Sequence, residues 1–431
     1  MPNIVLPDKI SGVIKEVQKR PLIFFALLHA VLLLGIYSIL DNSVGNCGVE
    51  RSIAVNILDG QLPYSEASSE YPPLAILSFL LPALLCSAQP AYGFLFALEI
   101  YLINLAVIFI MAKLAARMKL GTWKVLGMYT LCLAAMGSIV TGRYDLLPAA
   151  LVLAAIYAFV NGRNNMAWAA LALGLTAKLY PAIIAPFFAI YLLRYRQYRK
   201  LAQGAAVFLA VVLVISLPLL IVDASGYWES ISYHLDRGLH SESSYGSLLL
   251  VGKLMGLTDL TSGFSYGSWN LNSPLADNLA HAATYVTFGL LAFAYGMYAR
   301  RLWQKPGDEF VEMRGGEMQS LLRYAALSVM IMLLASKLLS PQFLIWLCPL
   351  LPLVIVRWRY ALPVLILIIG VITQYIYPYH YLEFEALVPH TIVLLAVRNF
   401  LLMVMAVVML LPLRSQLASG EDLVAVDGGY R

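Results

Sequence analysis

Long apolar runs separated by short polar tips set the pattern of this chain. The runs cover residues 21–40, 91–113, 124–140, 146–160, 166–177, 182–193, 201–222, 276–299, 324–339, 343–356, 360–376 and 387–413. A straight crossing of a bilayer core takes about 20 apolar residues. The longer runs therefore read as transmembrane helices, and the shorter ones as tilted, kinked or half-length helices inside a bundle. The pattern predicts an all-α polytopic membrane protein with about 12 transmembrane segments. The first run, Pro21–Leu40, is longer than the core of a signal peptide and has no clean small-residue cleavage site, so it reads as a retained span.

Basic residues orient these segments. With the N-terminus cytoplasmic, 22 of the 29 lysines and arginines fall in inward segments, among them the cluster Arg194, Arg196, Arg199 and Lys200. Arg51, Arg143, Lys178, Arg237, Lys253, Lys337 and Arg398 fall outside or within the membrane. A full crossing by Pro72–Leu85 would invert this bias, so that stretch is expected to lie in the outer interface or dip into it. The expected organisation is one integral-membrane domain over residues 1–413. It carries an outer loop at 41–90, a large outer loop at 223–275 and outer-face juxtamembrane helices. The inner loop runs Arg300–Leu322, and 414–431 forms a disordered cytoplasmic tail. The chain is thus placed in the cell membrane as a multi-pass protein with both termini cytoplasmic.

Composition narrows the classes further. Hydrophobic residues make up 61% of the chain and charged residues 12%, which excludes a soluble enzyme and leaves no nucleic-acid footprint. Cys47, Cys86, Cys132 and Cys348 lie far apart without metal-ligand spacing, so neither a disulfide framework nor a metal site is expected.

The sparse polar residues gather at six tips, all on the expected outer face. The opening loop carries Glu50, Arg51, Asp59, Glu66 and Glu70, and the second tip holds Arg143 and Asp145. A third tip reads Thr176-Ala177-Lys178-Leu179-Tyr180-Pro181, between two half-length helices. The large loop brings His234, Arg237, His240 and Glu242; the last two tips hold Lys337, Ser340 and Gln342, then Tyr377 to Glu383. Ionisable groups at membrane depth are costly and usually face a cavity or a partner. Arg143, Lys178 and Arg237 together suit a phosphate or diphosphate through charge-assisted hydrogen bonds. The opening-loop carboxylates suit a general base. Duller readings stand beside these: Arg143 pairing with Asp145 across its tip, Lys178 snorkelling to the interface, solvated loop acids. Arg398-Asn399 reads as the join of an interfacial helix and a true span.

The blocks "GQLPYSEASSEYPPLA", "GRYDLLPAALVL", "GLTAKLYPAIIAP", "HLDRGLHSES" and "SPQFLIWLCPLLPL" resemble, in order, those of glycosyltransferase family 87. These are polyprenol-phosphate-mannose-dependent mannosyltransferase-like proteins of the C-type glycosyltransferase superfamily. The resemblance covers about Gly45 to Arg398. It implies the C-type glycosyltransferase fold, with the active site at the outer face. It further implies transfer of one sugar, usually mannose, from a polyprenyl-phosphate donor to a lipid-linked or glycan acceptor hydroxyl, with inversion. Partners would be that donor, that acceptor and membrane lipids; no cofactor, nucleotide-sugar pocket or nucleic acid is implied.

The resemblance also implies a first-loop carboxylate as the base. The family's Asp, about 14 residues before Gly60, corresponds to Asn46 here, and "PYRDF" reads Pro63-Tyr64-Ser65-Glu66-Ala67. The base then falls to Glu66 or to Glu50, one helical turn beyond Asn46, with Glu70 ordering the turn at Tyr71-Pro72-Pro73. The carried-over blocks put Arg143 and Asp145 near the acceptor or base, and Lys178 with Tyr180 near the donor phosphate. His234, Arg237 and Glu242 would cover the site, and Ser340 and Gln342 would line it. The competing class is a polyprenyl-lipid or glycolipid transporter without chemistry, for which inverted repeats in the two halves would be expected.

Overall fold

The computed structural model describes residues 16, 18–37, 47–65, 70–304, 313, 315–355 and 361–410. These residues form a helical bundle. Helix α1, Pro21–Ala30, continues through a wider π-type turn over Val31–Tyr37. Helix α2, Gly48–Leu58, precedes α3, Pro73–Leu85, and the long α4, Ala91–Arg117. At about 1.5 Å per residue α3 spans only about 20 Å, less than the ~30 Å of a bilayer core. It packs Ala75, Ile76, Phe79 and Ala83 inward and leaves Leu77, Leu81, Leu84 and Leu85 uncovered.

Helix α5, Thr122–Met136, ends at Gly137, whose φ of +58° and ψ of −145° suit only glycine. A Cβ there would also strike the Gln374 side chain at 2.2 Å. The chain breaks, makes the single turn α6, Ile139–Gly142, and enters α7, Leu146–Val160. Helix α8, Asn164–Ala177, returns antiparallel to α7, and a tight turn at Tyr180–Ile184 leads into α9, Ala185–Arg194. Helix α10, Tyr198–Val222, reaches the bundle by laying Gly204 on the indole of Trp168.

The expected large loop is itself structured. It holds α11, Ala224–Asp236, strand β1, Leu239–His240, helix α12, Ser244–Leu254, and strands β2, Thr261–Ser265, and β3, Ser268–Asn272. The strands form an antiparallel sheet in the order β1-β3-β2, with Leu239 opposite Leu271. Side-chain oxygens cap both helices: Asp223 accepts from Ser225 and Gly226, and Ser243 from Gly246.

Helices α13, Pro274–Trp303, and α14, Gly315–Ala335, follow. The run expected as a span at 343–356 is instead a tight turn at Pro341–Leu347 followed by the short α15, Leu351–Ile355. The chain ends in α16, Ala361–Gln374, with a kinked π-type turn at Tyr375–Tyr379, then α17, Tyr381–Glu385, and α18, Pro389–Leu410. Helix α18 runs through Arg398-Asn399 without a break, so no junction of two helices lies there. Both side chains are buried.

Six helices among the described residues are long and apolar enough to cross a membrane, and further apolar helices are shorter. The all-α polytopic class read from the pattern is therefore the architecture observed. The expected tail at 414–431 lies outside the described residues.

Candidate active site

Two carboxylate–cation pairs stand side by side where several chain breaks meet. The first joins α2 to the turn after α6. Glu50 lies in the first turn of α2, where the helix N-terminus favours negative charge. Arg143 follows α6 in an extended conformation, delivered there by the break at Gly137. Its Nη1 donates to Glu50 Oε1 at 3.1 Å and Oε2 at 3.3 Å, and its Nη2 donates to the Tyr377 hydroxyl at 3.1 Å. Arg143 and Asp145 do not pair with each other: the backbone is extended at Arg143 and turns helical at Asp145, and the two side chains meet different partners.

The second pair joins the start of α7 to the end of α8. Lys178 Nζ donates to Asp145 Oδ1 at 2.6 Å, and the indole Nε1 of Trp346 donates to the same oxygen at 2.7 Å. Oδ2 of this buried carboxylate has no hydrogen-bond partner among the described residues. The Lys178 ammonium lies 4.6 Å from the Tyr144 ring centroid, 4.8 Å from Phe343 and 5.3 Å from Trp346. Such contacts are favourable for a desolvated cation. Trp346 is itself fixed in a three-ring stack, 4.0 Å from Tyr180 and 4.2 Å from Phe343.

In both pairs the carboxylate sits behind and the cation in front. Side-chain exposure is 0% for Glu50 against 23% for Arg143, and 1% for Asp145 against 17% for Lys178. A small cleft lined by Ser138, Gly142, Arg143, Tyr377 and Pro378 opens beside the first pair.

Tyr71 links the pairs to the first loop. Its ring packs edge-on against Tyr144 and Phe79, within electrostatic reach of Glu50, Arg143, Glu70 and Asp145. Its carbonyl accepts from the Tyr64 hydroxyl at 2.6 Å. Glu70 fastens this loop to α11: its carboxylate accepts from the Tyr233 hydroxyl, and its carbonyl meets His234 Nε2 at 3.1 Å. Burial, reinforced by the Glu70 carboxylate, holds the Tyr233 hydroxyl above the usual tyrosine range. Burial pushes His234 below the usual histidine range, partly opposed by the Glu70 carbonyl. Arg237 lies over the Tyr233 ring at 5.6 Å and donates to the Tyr266 carbonyl.

The fold thus brings together Glu50, Arg143, Asp145, Lys178 and Tyr180, with Glu70, His234 and Arg237 forming an adjoining clasp. Ser340 and Gln342 begin the turn that carries Phe343 and Trp346, and the Ser340 carbonyl accepts from Phe343 N at 3.0 Å. Glu242 stands elsewhere, in a buried pair with Arg398. Glu66 lies outside the described residues. Sequence reasoning missed Trp346 and Phe343, which read as core in an apolar run, and the Tyr377 hydroxyl, which only the fold brings to Arg143. No group of three His, Cys, Asp or Glu side chains suited to a metal ion occurs among the described residues.

Comparison with known proteins adds a family relationship. The model of glycosyltransferase family 87 matches residues 70–341. None of the curated proteins compared matches the sequence. Among solved structures, apo ArnT from Cupriavidus metallidurans is similar at 13% identity and a TM-score of 0.45, over 90% of this chain and 75% of that one.

Proposed function

The chain belongs to glycosyltransferase family 87 and is a membrane glycosyltransferase, and we propose that it moves a single sugar, mannose, from a polyprenyl phosphate to an acceptor hydroxyl. The acceptor in this reading is a lipid-linked or glycan hydroxyl. The site would face the outer side of the membrane, a placement that the distribution of basic residues supports.

The observation that carries the reading is the order of charges in the two pairs. Arg143 and Lys178 are the partly exposed members, and Glu50 and Asp145 lie behind them. An anionic headgroup arriving at this face meets cations whose positions are already set by buried acids. The chemistry needs such an arrangement. As the acceptor oxygen bonds to the anomeric carbon, the bond from that carbon to the phosphate oxygen breaks. The phosphodiester, with one negative charge, becomes a phosphomonoester with two. Cations held in place stabilise that developing charge more than the ground state, which is what lowers a barrier.

The acceptor proton needs a base. Glu50, the carboxylate paired with Arg143 beside the site, is one candidate in this reading. Glu66 stays a candidate from the sequence. Glu70, bound to Tyr233 and His234, suits a role in holding α11 over the site.

Purified protein given labelled polyprenyl-phosphate mannose and a membrane-lipid extract should consume donor and label a lipid or glycan. Transfer should fall at least about 100-fold in the variant that removes the base, Glu50→Gln or Glu66→Gln. Wild-type protein that binds the donor without turnover would sink the reading and leave a lipid transporter. Full rates in both Lys178→Ala and Arg143→Ala would sink the phosphate clamp alone.

A further inference from the structure

We infer that Trp346 is a positioning residue for the donor phosphate, acting through Asp145 to hold the Lys178 ammonium in the orientation that meets the headgroup. This rests on the reading of Lys178 as a phosphate ligand.

A buried indole N–H needs an acceptor, and a nearby carbonyl usually serves. Here it is a carboxylate oxygen already engaged by a lysine. Trp346 Nε1 and Lys178 Nζ reach Asp145 Oδ1 at 2.7 and 2.6 Å, while Oδ2 has no partner among the described residues. Two donors on one oxygen fix the carboxylate plane, and with it the direction from which the ammonium approaches. The indole cannot tilt to relax this. It is clasped between Tyr180 at 4.0 Å and 8° and Phe343 at 4.2 Å and 20°.

The same ring forms one wall around the ammonium. Tyr144, Phe343 and Trp346 surround Lys178 Nζ, Asp145 accepts from it, and 17% of the lysine side chain stays open. An ammonium has three donors and no acceptor. With one donor on Asp145 and aromatic faces around it, the open direction suits a phosphate oxygen. Without the indole N–H, Asp145 is free to rotate and offer Oδ2, and the long lysine side chain follows it away from the open side. A tryptophan that served only as packing would leave Lys178 in place when replaced by another ring.

A double-mutant cycle on binding of decaprenyl phosphate to the full-length protein in detergent micelles separates the two roles. Trp346→Phe keeps an aromatic ring in the stack and removes the N–H. It should weaken binding about tenfold in the wild-type background and leave it unchanged in the Lys178→Ala background. Trp346→Tyr, which returns a donor on a smaller ring, should recover part of the loss and stands in if the phenylalanine variant does not fold. Equal losses in both backgrounds, or none in either, would overturn the inference. Wild-type protein that fails to bind decaprenyl phosphate would overturn the phosphate reading and this inference with it, a result visible before any variant is made.

Discussion

Arg398 donates to Glu242 at 2.9 Å from the middle of α18, with both side chains shut away from solvent. Its second nitrogen reaches the Glu242 carbonyl at 3.0 Å. Asn399 holds the carbonyls of Glu242 and Ser243 at 3.2 Å and the Ser247 hydroxyl at 3.0 Å. Two adjacent residues of a membrane helix thus tie down the entrance to α12. Burial holds the Glu242 carboxyl above the usual carboxylate range, and the Arg398 charge opposes that shift.

Removing one member of this pair leaves a charge without a partner in a dry place, which costs about 3–5 kcal/mol. Arg398→Ala is expected to lower the melting temperature in detergent sharply. Glu242→Gln leaves the buried Arg398 guanidinium, which cannot shed its charge, without a counter-ion and should lower it at least as much. Equal and small losses in both would show that the pair is dispensable.

Arg143 bridges Glu50 and the Tyr377 hydroxyl with a planar fork that a lysine lacks. Arg143→Lys keeps the charge and loses the bridge. Transfer measured as kcat/KM should fall about 100-fold, with the melting temperature little changed. Wild-type kinetics would exclude Arg143 from the reacting centre.

The clasp between the first loop and α11 depends on Tyr233 donating to Glu70. Tyr233→Phe removes one hydrogen bond, worth about 1 kcal/mol. If the clasp closes over bound substrate, KM for the lipid donor should rise about fivefold while kcat stays within a factor of about two. A fall in kcat with KM unmoved would place Tyr233 in the chemistry instead.

His240 gives a pH-dependent prediction. Burial, with the nearby charges of Arg237 and Arg398, pushes its imidazole down to about 3 from an ordinary value of 6.5. The unfolded chain therefore binds this proton more readily than the folded one. The stability it contributes is complete above pH 6.5 and is lost as pH falls from there toward 3. At pH 5 the loss amounts to about 2 kcal/mol. Melting temperature against pH should be flatter between 6.5 and 4.5 in His240→Gln than in wild type. Parallel curves would assign the acid sensitivity to other groups.

How much of this was legible from residues alone depended on distance along the chain. Periodicity and length gave the helical class, because an apolar run long enough to cross a bilayer has few other uses. Glu50 was reachable because it lies only four residues along the chain from Asn46, the position where the family places its acid. The pairing pattern was not. Arg143 and Asp145 are two residues apart, yet their partners lie 93 and 33 residues away, at Glu50 and Lys178. Only packed helices fix those separations. Trp346 was hidden for another reason: an aromatic in an apolar run looks the same whether its N–H meets a carbonyl or a carboxylate. The small sheet in the large loop was also missed, since its strands are only two and five residues long.

Helices α10 and α14 show what a lipid surrounding does to the usual rule of inside and outside. The most apolar of the six long helices is α10, and within it only Gly204 and Ser216 are buried. Helix α14 is far less apolar, yet its buried positions include Glu317, Gln319, Ser320 and Ser328. Grease marks the rim here and polarity marks the axle. A scan that hunted for a core by hydrophobicity would rank these two helices backwards. Mutational tolerance should follow the same inversion: conservative apolar exchanges pass unnoticed along α10, while the small and polar residues of α14 admit few replacements.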